Sequence, residues 1–161
     1  MQVEIPEPYR TLILDYGKTI NEDSVVELED NPHITLLYGI HTNNINEIKS
    51  VLGDFPPFEI QFGATKLFMA DDLNPNDVLF IEIFCKQLRP LKEKLVLNTN
   101  VTQTYTGFLP HCTVGFLQPG HALQFIGTNP LVGEWVTINN VTFGTEDNRE
   151  IIYGREIGRP A

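Results

Sequence analysis

Two histidines, each followed two positions later by a threonine, are the residues whose types and spacing most clearly could do chemistry. They lie in His33-Ile34-Thr35 and in His111-Cys112-Thr113. Side chains alternate between the two faces of a β-strand, so in a strand each histidine shares a face with its threonine. The apolar residues on the opposite face can pack on a core. If the two segments face each other, two imidazoles and two hydroxyls converge.

Such a set suits cleavage of a phosphodiester without a metal ion. A neutral imidazole can take a proton from the attacking hydroxyl or water, and an imidazolium can protonate the leaving oxygen. Threonine hydroxyls can donate to the nonbridging oxygens, where negative charge develops. One His-x-Thr alone is more often a structural pair in a sheet. The prediction therefore depends on there being two copies at matching places.

The elements around the motifs predict an α+β fold of short strands and helices. Apolar residues in phase predict a helix over Asn44 to Leu52, with Asn43 or Asn44 as its cap and Gly53 as its end. A second helix is predicted from Gln87 to Val96, and a short helical turn from Gly120 to Ile126. Strands are predicted at 9–16, 33–40, 58–69, 78–85, 109–117, 135–143 and 150–157.

The order of these elements contains a repeat. Each motif strand is followed by a helix and then by two strands, so each half is a strand–helix–strand–strand unit. We expect one domain over 1–161, with intertwined lobes at roughly 9–85 and 86–157 in the sequence. The lobes are expected to be related by a pseudo-twofold axis, with the active site in a cleft between them.

Composition limits the partners. The net charge is −10, from 11 basic and 21 acidic residues. Proteins that grip long nucleic acids usually present a basic face, so we expect a small nucleotide and no long nucleic acid as substrate. Two cysteines make no disulfide framework, no leader is evident, and the longest apolar runs are too short to cross a membrane. These features predict a cytoplasmic protein without a membrane partner. The oligomeric state stays open.

The segments Pro32 to Gly39 and Pro110 to Phe116 resemble the signature of the 2H phosphoesterase superfamily, also called LigT-like or 2′-5′ RNA ligase-like. The resemblance extends from about Tyr9 to Ile157. It implies a bilobal fold, two catalytic histidines (His33 and His111), phosphate-binding threonines (Thr35 and Thr113), and neither metal nor cofactor. The short acidic form is similar to bacteriophage members, some of which destroy cyclic nucleotide signals of bacterial immunity (anti-CBASS enzymes). For a phage protein the location would be the host cytoplasm.

One departure from the family pattern concerns its usual first helix, for which only Lys18 to Asp30 is left between the predicted first strand and the first motif. That stretch is polar and acidic, so an abbreviated first lobe is expected. Its acidic residues are interpreted as a solvated edge that could also repel long polyanions.

Several other residues are weaker candidates for the site. Tyr38 and Phe116 are predicted to be core residues, because alternation places them on the helix-packing face. Tyr105 and Phe108, in the loop before the second motif, are candidates for stacking on a base or for forming a lid. Lys66 and Arg155 could reach a phosphate, but solvated strand charge is the preferred interpretation.

The remaining histidines and cysteines have simpler interpretations. His41 and His121 lack the compact ligand spacing of a zinc site and are read as surface residues. Cys112 points away from the histidines and is read as a small core residue, not as a nucleophile.

The leading interpretation is a metal-independent hydrolase of a small nucleotide phosphodiester, preferably a cyclic nucleotide or cyclic oligonucleotide. Within enzymes, the alternative is the processing of 2′,3′-cyclic RNA ends or of 2′,5′ linkages. From another class, the alternative is a binding protein that sequesters a nucleotide without cleaving it. Turnover distinguishes this last alternative from the enzymes.

Overall fold

The computed structural model describes residues 1–102, 107–127, 129–144 and 149–154. Within them it contains three α-helices, two short 3₁₀ turns and nine strands. The helices are α1 (Tyr9–Lys18), α2 (Ile45–Leu52) and α3 (Leu88–Asn98), and the 3₁₀ turns are Glu22–Ser24 and Leu123–Phe125. The strands are β1 (Gln2–Glu4), β2 (Val25–Leu28), β3 (His33–Thr35), β4 (Phe58–Phe68), β5 (Asp77–Phe84), β6 (His111–Leu117), β7 (Trp135–Ile138), β8 (Asn140–Gly144) and β9 (Arg149–Tyr153).

All nine strands join one antiparallel sheet. Its order is β7-β4-β5-β6-β3-β1-β8-β9, and β2 pairs with β6 outside this path. The two motif strands, β6 and β3, are therefore neighbours at the centre, with three strands beyond each of them. Strands β4 and β5, which follow the first motif in the sequence, lie on the β6 side of the sheet. Strands β8 and β9, which follow the second motif, lie on the β3 side. The curled sheet with its helices is the predicted mixed α+β fold. The division into two lobes in the sequence stays a prediction.

The core lies on one face of this sheet. Val3, Ile34, Ile81 and Cys112 come from four adjacent strands, and all have an exposed fraction of 0%. Helix α1 packs near this region: the ring of Tyr9 lies 5.9 Å from that of Phe62. The opposite face of the central strands is left for the motif histidines.

The strand predicted at Tyr9 to Tyr16 is wrong, because the segment forms helix α1. Its β-branched and aromatic composition favoured a strand. Its buried residues, however, include Ile13, Tyr16 and Gly17, and Tyr9 is half-buried; these positions lie on one side of a helix. Packing against the sheet therefore overrides the local preference.

The expected abbreviation of the first lobe is wrong for the same reason. The first strand is β1, at Gln2–Glu4, so the first helix has residues 9–18 available. The stretch from Lys18 to Asp30 instead contains a 3₁₀ turn and β2, which pairs with β6.

The helix predicted at Asn44 to Leu52 is confirmed as α2. The side chain of Asn44 caps it by accepting from the amide of Asn46 at 3.0 Å, and Gly53 ends it with φ 61°. The second predicted helix is confirmed as α3 with slightly shifted ends. The predicted strand at 33–40 ends at Thr35, and the one at 135–143 divides into β7 and β8. Among the described residues, no helix is long and apolar enough to cross a membrane.

Candidate active site

The pairing of β3 with β6 brings the two motifs together. Ile34 lies opposite Cys112, and both side chains are fully buried in the core. In the same antiparallel register, His33 lies beside Thr113 and Thr35 lies beside His111. These four side chains alternate away from the core, so they share the other face of the sheet. The predicted catalytic and phosphate-binding residues are thus gathered in one place by two neighbouring strands.

Both imidazoles are held by their backbones in the same way. Nδ1 of His33 donates to the carbonyl of Asn31 at 2.7 Å, and Nδ1 of His111 donates to the carbonyl of Leu109 at 2.8 Å. A carbonyl only accepts, so Nδ1 carries the proton in each ring. Each Nε2 then accepts a proton when the ring is neutral and donates one when the ring is protonated. The two rings therefore present the same atom for acid–base chemistry.

A proline precedes each histidine and shapes this contact. Pro32 and Pro110 restrict the residue before them to extended conformations, and that residue supplies the carbonyl that holds the ring. The carbonyl of Pro32 accepts from the amide of Ile5, and that of Pro110 accepts from the amide of Ile83, both at 3.1 Å. Both motifs thus have the same backbone arrangement, in which the proline carbonyl is hydrogen-bonded to the chain segment on the outer side of the motif strand.

The surroundings of the two rings differ. His111 meets the rings of Phe68 and Phe80 edge-on, with centroids at 5.2 and 5.3 Å, and these two rings stack on each other at 4.1 Å. His33 has a carboxylate nearby, since Nδ1 lies 4.0 Å from Oε1 of Glu29. One side of the site is therefore aromatic, and the other is polar and acidic.

The core prediction for Tyr38 is wrong. Its side chain is 68% exposed, and its hydroxyl accepts a hydrogen bond from Oγ1 of Thr35 at 3.2 Å. The strand ends at Thr35, so the alternation on which the prediction depended no longer applies at Tyr38. This tyrosine therefore lies against a predicted phosphate-binding hydroxyl.

The same prediction for Phe116 is also wrong. Phe80 pairs with Thr113 but Leu79 pairs with Gly115, so β6 has an extra residue at Val114. Such a bulge shifts the alternation by one position. Phe116, which is only half-buried, is thereby moved to the face of His111 and Thr113.

Of the two loop residues predicted to stack on a base or to form a lid, only Phe108 lies within the described residues. Tyr105 lies outside the described residues, as does Arg155. Phe108 contacts α3: Nζ of Lys92 lies 4.5 Å above its ring, and Arg89 donates to its carbonyl at 3.4 Å. Partial burial, followed by the nearby charge of Arg89, lowers the pKa of Lys92. These contacts attach the end of the loop to α3.

The other histidines hydrogen-bond residues outside the two motifs, and Cys112 is buried on the opposite face of the sheet. His41 hydrogen-bonds Thr102, and Nδ1 of His121 lies 3.0 Å from Oγ of Ser24. Among the described residues, no three His, Cys, Asp or Glu side chains form a group able to hold a metal ion. Cys112 is fully buried, which raises the pKa of its thiol to about 12, so it is no nucleophile at neutral pH.

Two glutamates beside the histidines were missed from the sequence. Glu82 pairs with His111 across β5 and β6, and Glu4 pairs with His33 across β1 and β3. A signal for Glu82 was present, because it is the only charged residue within the apolar run from Val78 to Phe84. No sequence pattern distinguished Glu4, since β1 itself was not predicted.

Comparison with known proteins shows the family of the chain. The fold and the paired His-x-Thr strands define a protein of the 2H phosphoesterase class. A model of the 2′-5′ RNA ligase superfamily matches residues 20–128, and the chain belongs to that superfamily. Its members are phosphodiesterases and RNA-processing enzymes. No curated protein matches the sequence significantly.

Solved structures show the same fold at low sequence identity. TT0787 of Thermus thermophilus superposes with a TM-score of 0.60 at 16% identity, covering 94% of this chain and 92% of its own. Usb1 of Kluyveromyces marxianus has a TM-score of 0.60 at 8% identity, covering 95% of both chains. Usb1 with uridine monophosphate gives 0.59, at 8% identity and the same coverage. Identities this low support a shared fold alone.

Proposed function

We propose that this protein is a metal-independent phosphodiesterase that hydrolyses a small nucleotide, preferably a cyclic nucleotide or cyclic oligonucleotide. The observation that carries the proposal is the register of β3 with β6, which places His33, Thr35, His111 and Thr113 on one face. Each half of the site supplies one imidazole and one hydroxyl. One imidazole can therefore act on the attacking oxygen and the other on the leaving oxygen, on opposite sides of the phosphorus.

In the proposed reaction, Nε2 of one histidine takes a proton from the attacking water as its oxygen bonds to phosphorus. Nε2 of the other histidine, which starts protonated, gives its proton to the leaving oxygen as the phosphorus–oxygen bond breaks. The hydroxyls of Thr35 and Thr113 donate to the nonbridging oxygens, where charge develops. The carbonyls on Nδ1 keep both rings in the required tautomer.

The net charge of −10 supports a small substrate, because a long polyanion would be repelled by the molecule as a whole. The short acidic form also resembles phage proteins that degrade cyclic nucleotide signals of bacterial immunity. A phage enzyme acting in the host cytoplasm is therefore part of the proposal.

A second candidate is the processing of RNA ends, either of 2′,3′-cyclic phosphates or of 2′,5′ linkages. The name of the superfamily supports it, as does the structure of Usb1 with uridine monophosphate. This candidate uses the same four residues and differs only in the bond that is cleaved.

The proposal is tested by a screen of cyclic mono-, di- and trinucleotides, 2′,5′-oligoadenylate and RNA with a 2′,3′-cyclic end, with products identified by mass. We expect hydrolysis that persists in excess EDTA. His33→Ala and His111→Ala should each lose most of the rate, and the double variant should lose little more, because the two act as a unit. His121→Ala is the matched control, because it alters a histidine that follows the opposite end of β6 from His111.

Unchanged melting temperatures in the His33 and His111 variants would separate loss of chemistry from unfolding. Near wild-type turnover in either folded variant would overturn the two-histidine mechanism. Activity lost in EDTA and restored by one divalent ion would overturn its metal independence. Release of intact nucleotide from denatured protein, with no turnover, would instead indicate a binding protein.

A further inference from the structure

Each motif histidine has a glutamate beside it on the next strand outward. Glu82 lies directly opposite His111, and Glu4 lies directly opposite His33. The neighbouring pairs, such as Ile81 with Cys112, are buried in the core, so the glutamates share the exposed face of the histidines. Directly opposite residues have Cβ atoms about 4.5–5.5 Å apart. Both carboxylates are therefore within reach of a ligand held by the histidines.

Each glutamate is also paired with a cation. Nζ of Lys66 lies 2.5 Å from Oε2 of Glu82, and a guanidinium nitrogen of Arg149 lies 3.4 Å from Oε1 of Glu4. Lys66 lies in β4 and Arg149 lies in β9, and these strands do not occupy matching positions in the two halves of the repeat. The duplicated order of elements therefore does not by itself account for both pairs. Glu4 Oε1 also accepts from Asn31 Nδ2 at 3.3 Å and from Gln2 Nε2 at 3.4 Å.

In both pairs the cation is the more exposed partner. The side chains of Lys66 and Arg149 are 50% and 57% exposed, whereas those of Glu82 and Glu4 are 15% and 34% exposed, so solvent around the cations limits the net stability that each pair contributes. A carboxylate beside a phosphate site also repels the substrate unless a cation offsets its charge. The cations provide that offset. A carboxylate has about four lone-pair sites, so each glutamate keeps capacity to accept hydrogen bonds from a ligand.

We propose that Glu82 and Glu4 are specificity-determining residues that accept hydrogen bonds from hydroxyl or amino groups on the two sides of the scissile phosphate. This inference rests on the proposed function and narrows its substrate to a phosphodiester that carries a nucleoside on each side. A cyclic mononucleotide would leave one of the two glutamates without a partner.

The two sides are not equivalent. The strand neighbour of Thr113 is Phe80, whereas that of Thr35 is Gln2. The Glu82 side therefore offers to a base the exposed ring of Phe68, which stacks on the buried ring of Phe80, and the Glu4 side offers amide groups. The two sides can therefore distinguish the two nucleosides that flank the scissile phosphate.

The test compares a dinucleoside monophosphate with bis(4-nitrophenyl) phosphate, a diester that has no nucleoside. The variants are the two charge-balanced double variants Glu4→Leu/Arg149→Met and Glu82→Leu/Lys66→Met. The controls are Arg149→Met alone, Lys66→Met alone and Glu59→Leu, on the outer part of β4. For the dinucleotide we expect KM to rise about 10- to 100-fold, as for lost hydrogen bonds to charged acceptors, with kcat changed little. Hydrolysis of bis(4-nitrophenyl) phosphate should stay within about twofold of wild type.

Equal losses for both esters would show that the glutamates act through the histidines and would overturn the inference. A lower melting temperature with unchanged kinetics would also overturn the inference, because it would show that the ion pairs only stabilise the fold. If the wild-type protein cleaves neither ester, the wider nucleotide screen decides the proposed function separately. Calorimetric binding of the dinucleotide to the wild-type protein and to the same variants then decides whether the glutamates recognise it, and equal affinities would overturn the inference.

Discussion

The two threonines of the site differ in their hydrogen bonds. The hydroxyl of Thr35 donates to the hydroxyl of Tyr38. A bound phosphate oxygen would compete with Tyr38 for this hydrogen bond. Thr113 lies beside His33 across the central strands and opposite Phe80. If both hydroxyls donate to the developing charge, Thr35 must first give up its hydrogen bond to Tyr38.

Thr35→Val and Thr113→Val should each lower kcat by roughly 10- to 100-fold, because each removes one donor to the developing charge while keeping the side-chain shape. Tyr38→Phe is the matched control: it removes only the acceptor of Thr35 and should change kcat by less than about threefold. Steady-state kinetics and thermal melting on the same preparations make the comparison. A raised KM with unchanged kcat would instead mean that the hydroxyls bind the ground state and the transition state equally.

At the scale of elements, helix α1 and strand β2 together support β6, the strand that carries His111. Gly17 of α1 and Gly115 of β6 both lie against Leu28 of β2. A Cβ added at Gly17 would meet Val114 and Leu28 at 3.5 and 3.6 Å, which are ordinary contacts. A Cβ added at Gly115 would come within 3.0 Å of the Glu27 carbonyl and of Leu28.

These two glycines make a matched pair of substitutions. Gly17→Ala should raise the free energy of unfolding by about 0.5–1 kcal/mol, because alanine has less conformational freedom to lose in a helix. Gly115→Ala should lower it by about 1–3 kcal/mol, because β2 must move away from β6. Urea unfolding of both variants measures the two effects. Destabilisation of similar size in both would contradict the packing described for α1 and β2.

For the whole molecule, the net charge of −10 opposes binding of long polyanions. At low salt, kcat/KM for an RNA of several tens of nucleotides should fall roughly tenfold or more below that for a dinucleotide with the same scissile bond. The deficit should shrink as salt rises towards about 0.2 M, because screening then acts within about 8–10 Å. Rates measured from about 0.02 to 0.2 M salt test this. A preference for the longer RNA that weakens with salt would indicate a phosphate-tracking surface instead.

The sequence by itself predicted which residues form the candidate site. His33, Thr35, His111 and Thr113 could be chosen because alternation along a strand is a local property and because each motif recurs before a similar set of elements. Helix α2 was also predictable, since its cap at Asn44 and its end at Gly53 are local signals. The buried, inert Cys112 followed from the same alternation.

The tertiary structure decided what depends on neighbours distant in the chain. Residues 9–18 form a helix because the sheet covers one side of them, although their composition favours a strand. Tyr38 and Phe116 lie away from their predicted core positions because β3 ends early and β6 contains a bulge. Gly115 is a weak local signal for the bulge, whereas the early end of β3 has none. Glu4 and Glu82 lie beside the histidines only through strand pairing. Register joins residues far apart in sequence, so it is set by packing of the whole sheet.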